Sequence, residues 1–272
     1  MKQSSLIDKI CSIVKSFDSV TALGMSGSRA LDIHDNLSDF DFCVYTSPLP
    51  APAQRKRFYL KFGIDSFDYF DVDFEVSRGD GFRLDGFECG ILWMEVPQCH
   101  TFLKNLHKDH NCDEFLPGGL EKTVPLFDRD NIIEGLKSEI PEYSDERAVN
   151  RIRNSISSAH FKIDVLKWFD KAVKRNDYFS FMKYQTEITD DFITALFALN
   201  KKWYSDEKRL TDITGRFELQ PINASERLER LMMHEKENST LPGSLESIKQ
   251  FYADLIEVSG INYPDIIFYQ LS

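Results

Sequence analysis

Near the start of the chain, Leu6, Ile7, Ile10, Cys11, Ile13, Val14 and Phe17 recur at helical spacing, which predicts an amphipathic helix docked by one face. "VTALGMSG" follows as a short strand running into a turn. In "FDFCVYT" the period changes to two: Phe40, Phe42 and Val44 fall on one face, and Asp39, Asp41 and Cys43 on the other. "SPLPAPAQ" (47–54) is a proline-punctuated loop ahead of a helix, "RKRFYLKFG". "YFDVDFEVS" alternates and predicts a strand, "GDGFRLDG" is turn-rich, and "FECGILWMEV" predicts a further strand before the helix "CHTFLKNLHKDH". Around "SEIPEYSDE" the alternation stops. Residues 146–174, 178–203, 223–237 and 243–259 carry helical periodicity, with Trp168, Phe169, Phe192, Leu196 and Phe197 as expected core. The pattern predicts an α+β domain over residues 1–142 and an all-α helical domain over 143–272.

Composition narrows the chemistry. The 272 residues are 42% hydrophobic, enough for packed cores, and carry a formal net charge of −11. Residues 1–140 hold 23 acids against 15 Lys and Arg, while 141–272 hold 21 against 18. An acidic N-terminal half makes a poor surface for a nucleic-acid backbone and suits a metal-dependent site or a cationic substrate. The five cysteines lack a C-x-x-C pair and point to a reducing compartment. With no signal-peptide pattern and no apolar run of membrane-spanning length, the expected location is the cytoplasm, without a membrane partner.

The chemistry centres on "GMSGSRALDIHDNLSDFDFCVY" (24–45). Residues i and i+2 of a strand share a face, so the carboxylates of Asp39 and Asp41 can share one divalent cation. Unscreened, two such charges about 4 Å apart repel by several kcal/mol at low dielectric. Mg²⁺ turns that repulsion into attraction and favours a few carboxylates plus nucleotide phosphates over an all-protein cage. Gly27 permits close backbone approach, the Ser28 hydroxyl can bond a phosphate oxygen, and Ser38 can cap the turn presenting Asp39. The competing reading of the acid pair is a solvated outer strand face. The Gly-Ser pair ten residues upstream favours the cradle.

"GSRALDIHDNLSDFDFCVY" resembles the signature of the polymerase-beta-like nucleotidyltransferase superfamily: Gly-Ser, a spacer of about ten, then Asp-hydrophobic-Asp on a strand. "RNDYFSFMKYQTEITDDFITALFALNKKWYSDEKRL" is similar to the helical C-terminal domain of a bacterial group that includes the aminoglycoside adenylyltransferases. The resemblance implies a small mixed sheet with flanking helices, followed by helices that complete the acceptor pocket. It implies transfer of a nucleoside monophosphate, usually AMP from Mg·ATP, to a hydroxyl of a small-molecule acceptor such as an aminoglycoside. On that reading Asp39 and Asp41 hold Mg²⁺ and are catalytic, while Gly27, Ser28 and Ser38 serve the nucleotide. Lys208 in "YSDEKRL" is the candidate cation for the triphosphate, with Lys202 and Tyr204 behind it; the alternative is a solvated lysine.

Members of that superfamily carry a third carboxylate on a neighbouring strand. The matching stretch here, "GFECGILW", puts Gly90 where the acid is expected. Glu88, two residues earlier on the same face, is the preferred substitute, narrowly ahead of Asp73; Asp71 and Glu75 share the face expected for Asp73. Loss of the acid favours a different class, a catalytically degenerate nucleotide-binding or partner-binding protein. Trp93 is placed to wall the acceptor site. Cys99, His100, His107, His110 and Cys112 suggest zinc, but their spacing fits a surface helix bearing histidines better.

Overall fold

The computed structural model describes residues 2–74, 76–106, 114–204, 209–233 and 240–271. The chain forms two compact units, Met1–Pro141 and Glu142–Ser272. The first is α+β. Helix α1 (Lys2–Lys15) leads to β1 (Val20–Ser26), a single turn of helix α2 (Gly27–Ala30), β2 (Phe40–Thr46) and α3 (Pro52–Lys61). Strands β3 (Phe67–Phe74), β4 (Ser77–Leu84) and β5 (Phe87–Glu95) follow, then α4 (Val96–Asn105), α5 (Phe115–Lys122), β6 (Val124–Asp128) and α6 (Ile132–Glu139).

The six strands form one mixed sheet in the order β3-β4-β5-β2-β1-β6. All neighbours are antiparallel except β2 and β5, which run parallel with Asp41 opposite Gly90. The apolar face of α1 buries Leu6, Ile10, Ile13 and Val14 against Phe40, Phe42, Val44, Phe82, Ile91 and Trp93, with Tyr59 of α3 in the same core. The period-two alternation of β2 thus sends its phenylalanines into this core and leaves Asp39 and Asp41 on the opposite face.

Two local expectations are overturned in this unit, and two elements stand where the pattern predicted none. "GDGFRLDG" is mostly strand β4; only Asp85 (φ 52°) and Gly86 (φ 86°) turn, as the two-residue Asp-Gly hairpin between Leu84 and Phe87. Residues α5 and β6, with Pro125 on an edge strand, carried no alternation strong enough to predict them. Strand β3 does not alternate cleanly. Its register slips between Phe67 and Tyr69 and again between Tyr69 and Val72, with Asp71 at φ 57°.

The second unit is helical: α7 (Asp145–His160), α8 (Trp168–Arg175), α9 (Tyr178–Leu199), α10 (Leu210–Thr214), α11 (Ala224–Met232) and α12 (Leu241–Asn262). Helices α7, α9 and α12 begin on Ser144, Asp177 and Thr240, whose side chains accept backbone N–H bonds. Phe169, Phe192, Leu196 and Phe197 are buried, whereas Trp168 is half-buried against Tyr184. The expected continuous helix 146–174 is broken: the backbone widens over Phe161–Val165 and turns left-handed at Lys167. Helix α9 stops at Asn200, whose amide bonds Leu196 O, Leu219 O and Leu219 N. Among the described residues no helix is long and apolar enough to cross a membrane.

Candidate active site

Of the candidates in the first unit, Asp39, Asp41 and Glu88 line a cleft of about 220 Å³, together with Asp68, Tyr69, Gly81, Arg83, Cys89 and Gly90; Gly27, Ser28 and Ser38 lie outside its lining. Its geometry begins at the Gly27 turn. Strand β1 pairs Ser26 with Asp41, and the chain then reverses through Gly27 at φ 65°, in the left-handed region that favours glycine. A Cβ at Gly27 would penetrate Asp41 Oδ2. The turn and the carboxylate therefore touch only because residue 27 has no side chain. Ser28 is half-buried in the same turn, and its carbonyl accepts from Ile33 N at 3.0 Å.

The segment before β2 is held by a residue that the sequence reading passed over. Arg29 donates from Nε to Asp39 O (2.8 Å) and from a terminal nitrogen to Ser38 O (2.7 Å), with its guanidinium 3.7 Å from the centre of the Phe40 ring. Ser38 Oγ accepts from Asp35 N at 2.9 Å and donates to Asp35 Oδ1 at 3.0 Å, so its hydroxyl is engaged in the 35–38 turn. These bonds fix the backbone from which Asp39 and Asp41 project.

Of the candidate third acids, Glu88 lines the cleft and pairs with Arg83 across the β4–β5 ladder. Asp73 and Asp71 do not share its face. The slips in β3 leave Asp73 exposed and paired with Arg78 (3.0 Å), and tie Asp71 to the buried Arg55. Glu75 lies outside the described residues. Asp68, singled out by no motif, stands in the cleft because of the same slips. Trp93 is buried on the other face, where its indole N–H donates to Asp80 at 2.7 Å, so it does not wall this cleft.

Asp80 is the hub of a buried network on that face. It takes both oxygens to Arg55 (2.8 Å each), accepts from Tyr59 Oη (2.9 Å) and accepts the backbone N–H of Asp71 (3.0 Å). Burial, then the Asp80 charge, push the Tyr59 hydroxyl well above its ordinary range. Burial raises the Cys89 thiol to about 12, helped by the charge of Asp41, and raises Cys43 to about 11.

Asp39 and Asp41 offer hard oxygen donors in an open cleft, a set that fits Mg²⁺ when phosphate and water complete its coordination. Among the described residues no three His, Cys, Asp or Glu side chains are grouped to hold a metal by themselves. Lys208 lies outside the described residues, as do His107, His110 and Cys112. Lys202 is exposed, and Tyr204 packs on Phe197 at 4.7 Å. Cys99 is buried and His100 Nδ1 lies 2.8 Å from Glu139, which assigns both to packing and pairing.

No protein-family model matches the chain, and no curated protein matches it. Among solved structures it is similar to a nucleotidyltransferase-like protein from Exiguobacterium sibiricum 255-15. The two are 11% identical, the likeness covers 94% of this chain and 78% of that one, and the TM-score is 0.43.

Proposed function

We propose that the chain binds a nucleoside triphosphate with Mg²⁺ over Asp39 and Asp41 and transfers the nucleoside monophosphate to a hydroxyl of a small-molecule acceptor. The observation that carries this reading is the contact of the Gly27 turn with the Asp41 carboxylate, which brings the Gly-Ser and Asp-x-Asp elements to one point. ATP is the expected nucleotide, from the motif's resemblance to the polymerase-beta-like superfamily. Bound there, Mg²⁺ would neutralise phosphate charge during in-line displacement. Gly27 and Ser28 would take phosphate oxygens, and Arg29 keeps the acid pair in place through the Ser38–Asp39 backbone. Glu88 is the acid on β5 that would accept the proton of the acceptor hydroxyl. Four acids line the cleft against one arginine, a balance that favours a cationic acceptor, as an aminoglycoside is.

A second reading, nucleotide binding without transfer, is favoured by Gly90 opposite Asp41 and by the engagement of Glu88 with Arg83. Calorimetry with Mg·ATP on the wild type and on Asp39→Asn/Asp41→Asn tests both. Binding should occur in the first and vanish in the second; a wild type that binds no Mg·ATP sinks both readings. Pyrophosphate release with a panel of hydroxylated, cationic acceptors then separates them. Transfer requires release that Glu88→Gln abolishes and Asp73→Asn spares.

A further inference from the structure

One row of the sheet runs across four strands at a single register: Tyr69 of β3 opposite Gly81 of β4, Gly81 opposite Gly90 of β5, and Gly90 opposite Asp41 of β2. Paired residues point to the same face, so the row is a strip of cleft floor with side chains at its two ends only. Across that gap lies the Tyr69 ring. A Cβ at Gly81 would stand 2.6 Å from its Cδ1 and Cζ, and one at Gly79 would stand 3.3 Å from its Cε2. Gly81 clears the trough for the phenol, and Gly79, which chiefly makes room for the Phe74 ring at 2.5 Å, borders it.

The end of the trough is Gly90. A Cβ there would lie 3.1 Å from Asp41 Oδ1 and 3.3 Å from Tyr69 Oη. The phenolic oxygen thus reaches the place where a side chain on β5 would start, next to the carboxylate of Asp41. Residue 69 reaches it because β3 slips register on both sides of it; the Asp71 N–H bond to buried Asp80 pins the second slip. Glycine inside a strand costs about 0.5–1 kcal/mol relative to alanine. Here the bare positions are what admit the tyrosine.

We infer that Tyr69 supplies, across the Gly81–Gly90 trough, the third oxygen facing the cation held by Asp39 and Asp41, in the place of an acid at position 90. The inference rests on the cation site of the proposed function. Tyr69 lines the cleft and is 42% exposed, with its ring packed on the glycines. A phenolic oxygen is a hard but neutral donor, able to face a Mg²⁺ ion through a lone pair or through one of the waters that ion retains.

The test uses Tb³⁺ as probe on the full chain without nucleotide, reading its luminescence on tyrosine excitation. The wild type should give emission that Mg²⁺ competes away. Tyr69→Phe keeps the ring on its glycines, so the variant should still unfold cooperatively, as the wild type does. Its emission should collapse and its Tb³⁺ affinity fall about tenfold. Asp39→Asn/Asp41→Asn should lose binding altogether. Emission undiminished in Tyr69→Phe but lost in the aspartate variant overturns the role of Tyr69 and leaves the cation site standing. No Mg²⁺-competed emission from the wild type overturns the cation site and the tyrosine with it. Gly90→Asp is the converse experiment. With Tyr69 present its Cβ crowds Asp41 Oδ1 and Tyr69 Oη and should weaken Tb³⁺ binding, whereas Tyr69→Ala/Gly90→Asp should recover it. A Gly90→Asp single variant that binds more tightly than wild type also overturns the inference.

Discussion

Asp80→Asn tests the buried network that lies on the sheet face opposite the cleft. Asp80 and Arg55 are both fully buried, joined by two bonds of 2.8 Å, and Asp80 also receives Tyr59 Oη, Trp93 Nε1 and Asp71 N. Asp80→Asn keeps the shape and one acceptor oxygen but strands the guanidinium, leaving Arg55 only the partly exposed Asp71. Breaking a buried pair from one side costs about 3–5 kcal/mol. For a unit of this size that corresponds to a fall in midpoint on the order of 10 °C. Asp80→Ala should cost more, because three further donors lose their acceptor at about 1–3 kcal/mol each, less than additively. Arg55→Met/Asp80→Asn should recover part of the loss, since no buried charge is then unpaired. Calorimetry gives the midpoint, and urea-dependent hydrogen exchange of the segments 67–74 and 77–95 localises the change. Exchange should rise first at the β3 slip, where the Asp71 N–H is pinned. An Asp80→Asn protein within about 1 kcal/mol of wild type would mean that Arg55 draws its compensation from elsewhere and that the pair does not hold the network.

Three further outcomes follow from single positions. Gly86→Ala and Gly27→Ala both force a left-handed residue, at about 1–2 kcal/mol. Nothing surrounds a Cβ at Gly86, whereas one at Gly27 displaces the Asp41 carboxylate. Calorimetric titration should therefore find Mg·ATP affinity unchanged in the first and lowered on the order of tenfold in the second; equal affinities would dissociate the turn from the site. Bonds from Ser180 hold Asp177, the cap of α9, below its ordinary 3.8. Its stabilisation is complete above 3.8 and is lost as pH falls through the lowered value, so Asp177→Ala should flatten the acid limb of the melting curve. The buried thiols of Cys43 and Cys89 keep their protons in the folded state up to about 11 and about 12. An unfolded thiol ionises near 9.0, so their contribution to stability should fall as pH rises from 9.0 toward those values. Site-resolved iodoacetamide labelling at about pH 8 should spare both until the protein unfolds; labelling of either at the unfolded rate would contradict their burial.

Local pattern made much of this protein legible. The helical spacing of Leu6, Ile10, Ile13 and Val14 and the alternation of β2 each report one side of an element, and burial of that side is what the core requires. The Asp85-Gly86 turn was equally local, a dipeptide suited to positive φ, although its neighbourhood reads as loop until the flanking strands pair. Local reading failed at β3. Its acids alternate in the sequence, but two slips of register, one pinned by an aspartate on the next strand, rotate them apart. Arg29 escaped notice because its partners are backbone carbonyls, which leave no mark on residue type.

By itself, then, the sequence determined the α+β character of the N-terminal half, the helices of the C-terminal half, and the pairing of a Gly-Ser turn with two aspartates on one strand face. Tertiary structure decided which side chains share the cleft: Glu88 and Asp68 enter it, Asp71 and Asp73 do not, and Trp93 belongs to the opposite core. It also decided what stands at the bare position of Gly90. Periodicity records the direction of a side chain relative to its own backbone. The contact of Tyr69 with the strip above Gly81 and Gly90 depends on the register of three separate strands, set by long-range pairing and a buried ion pair.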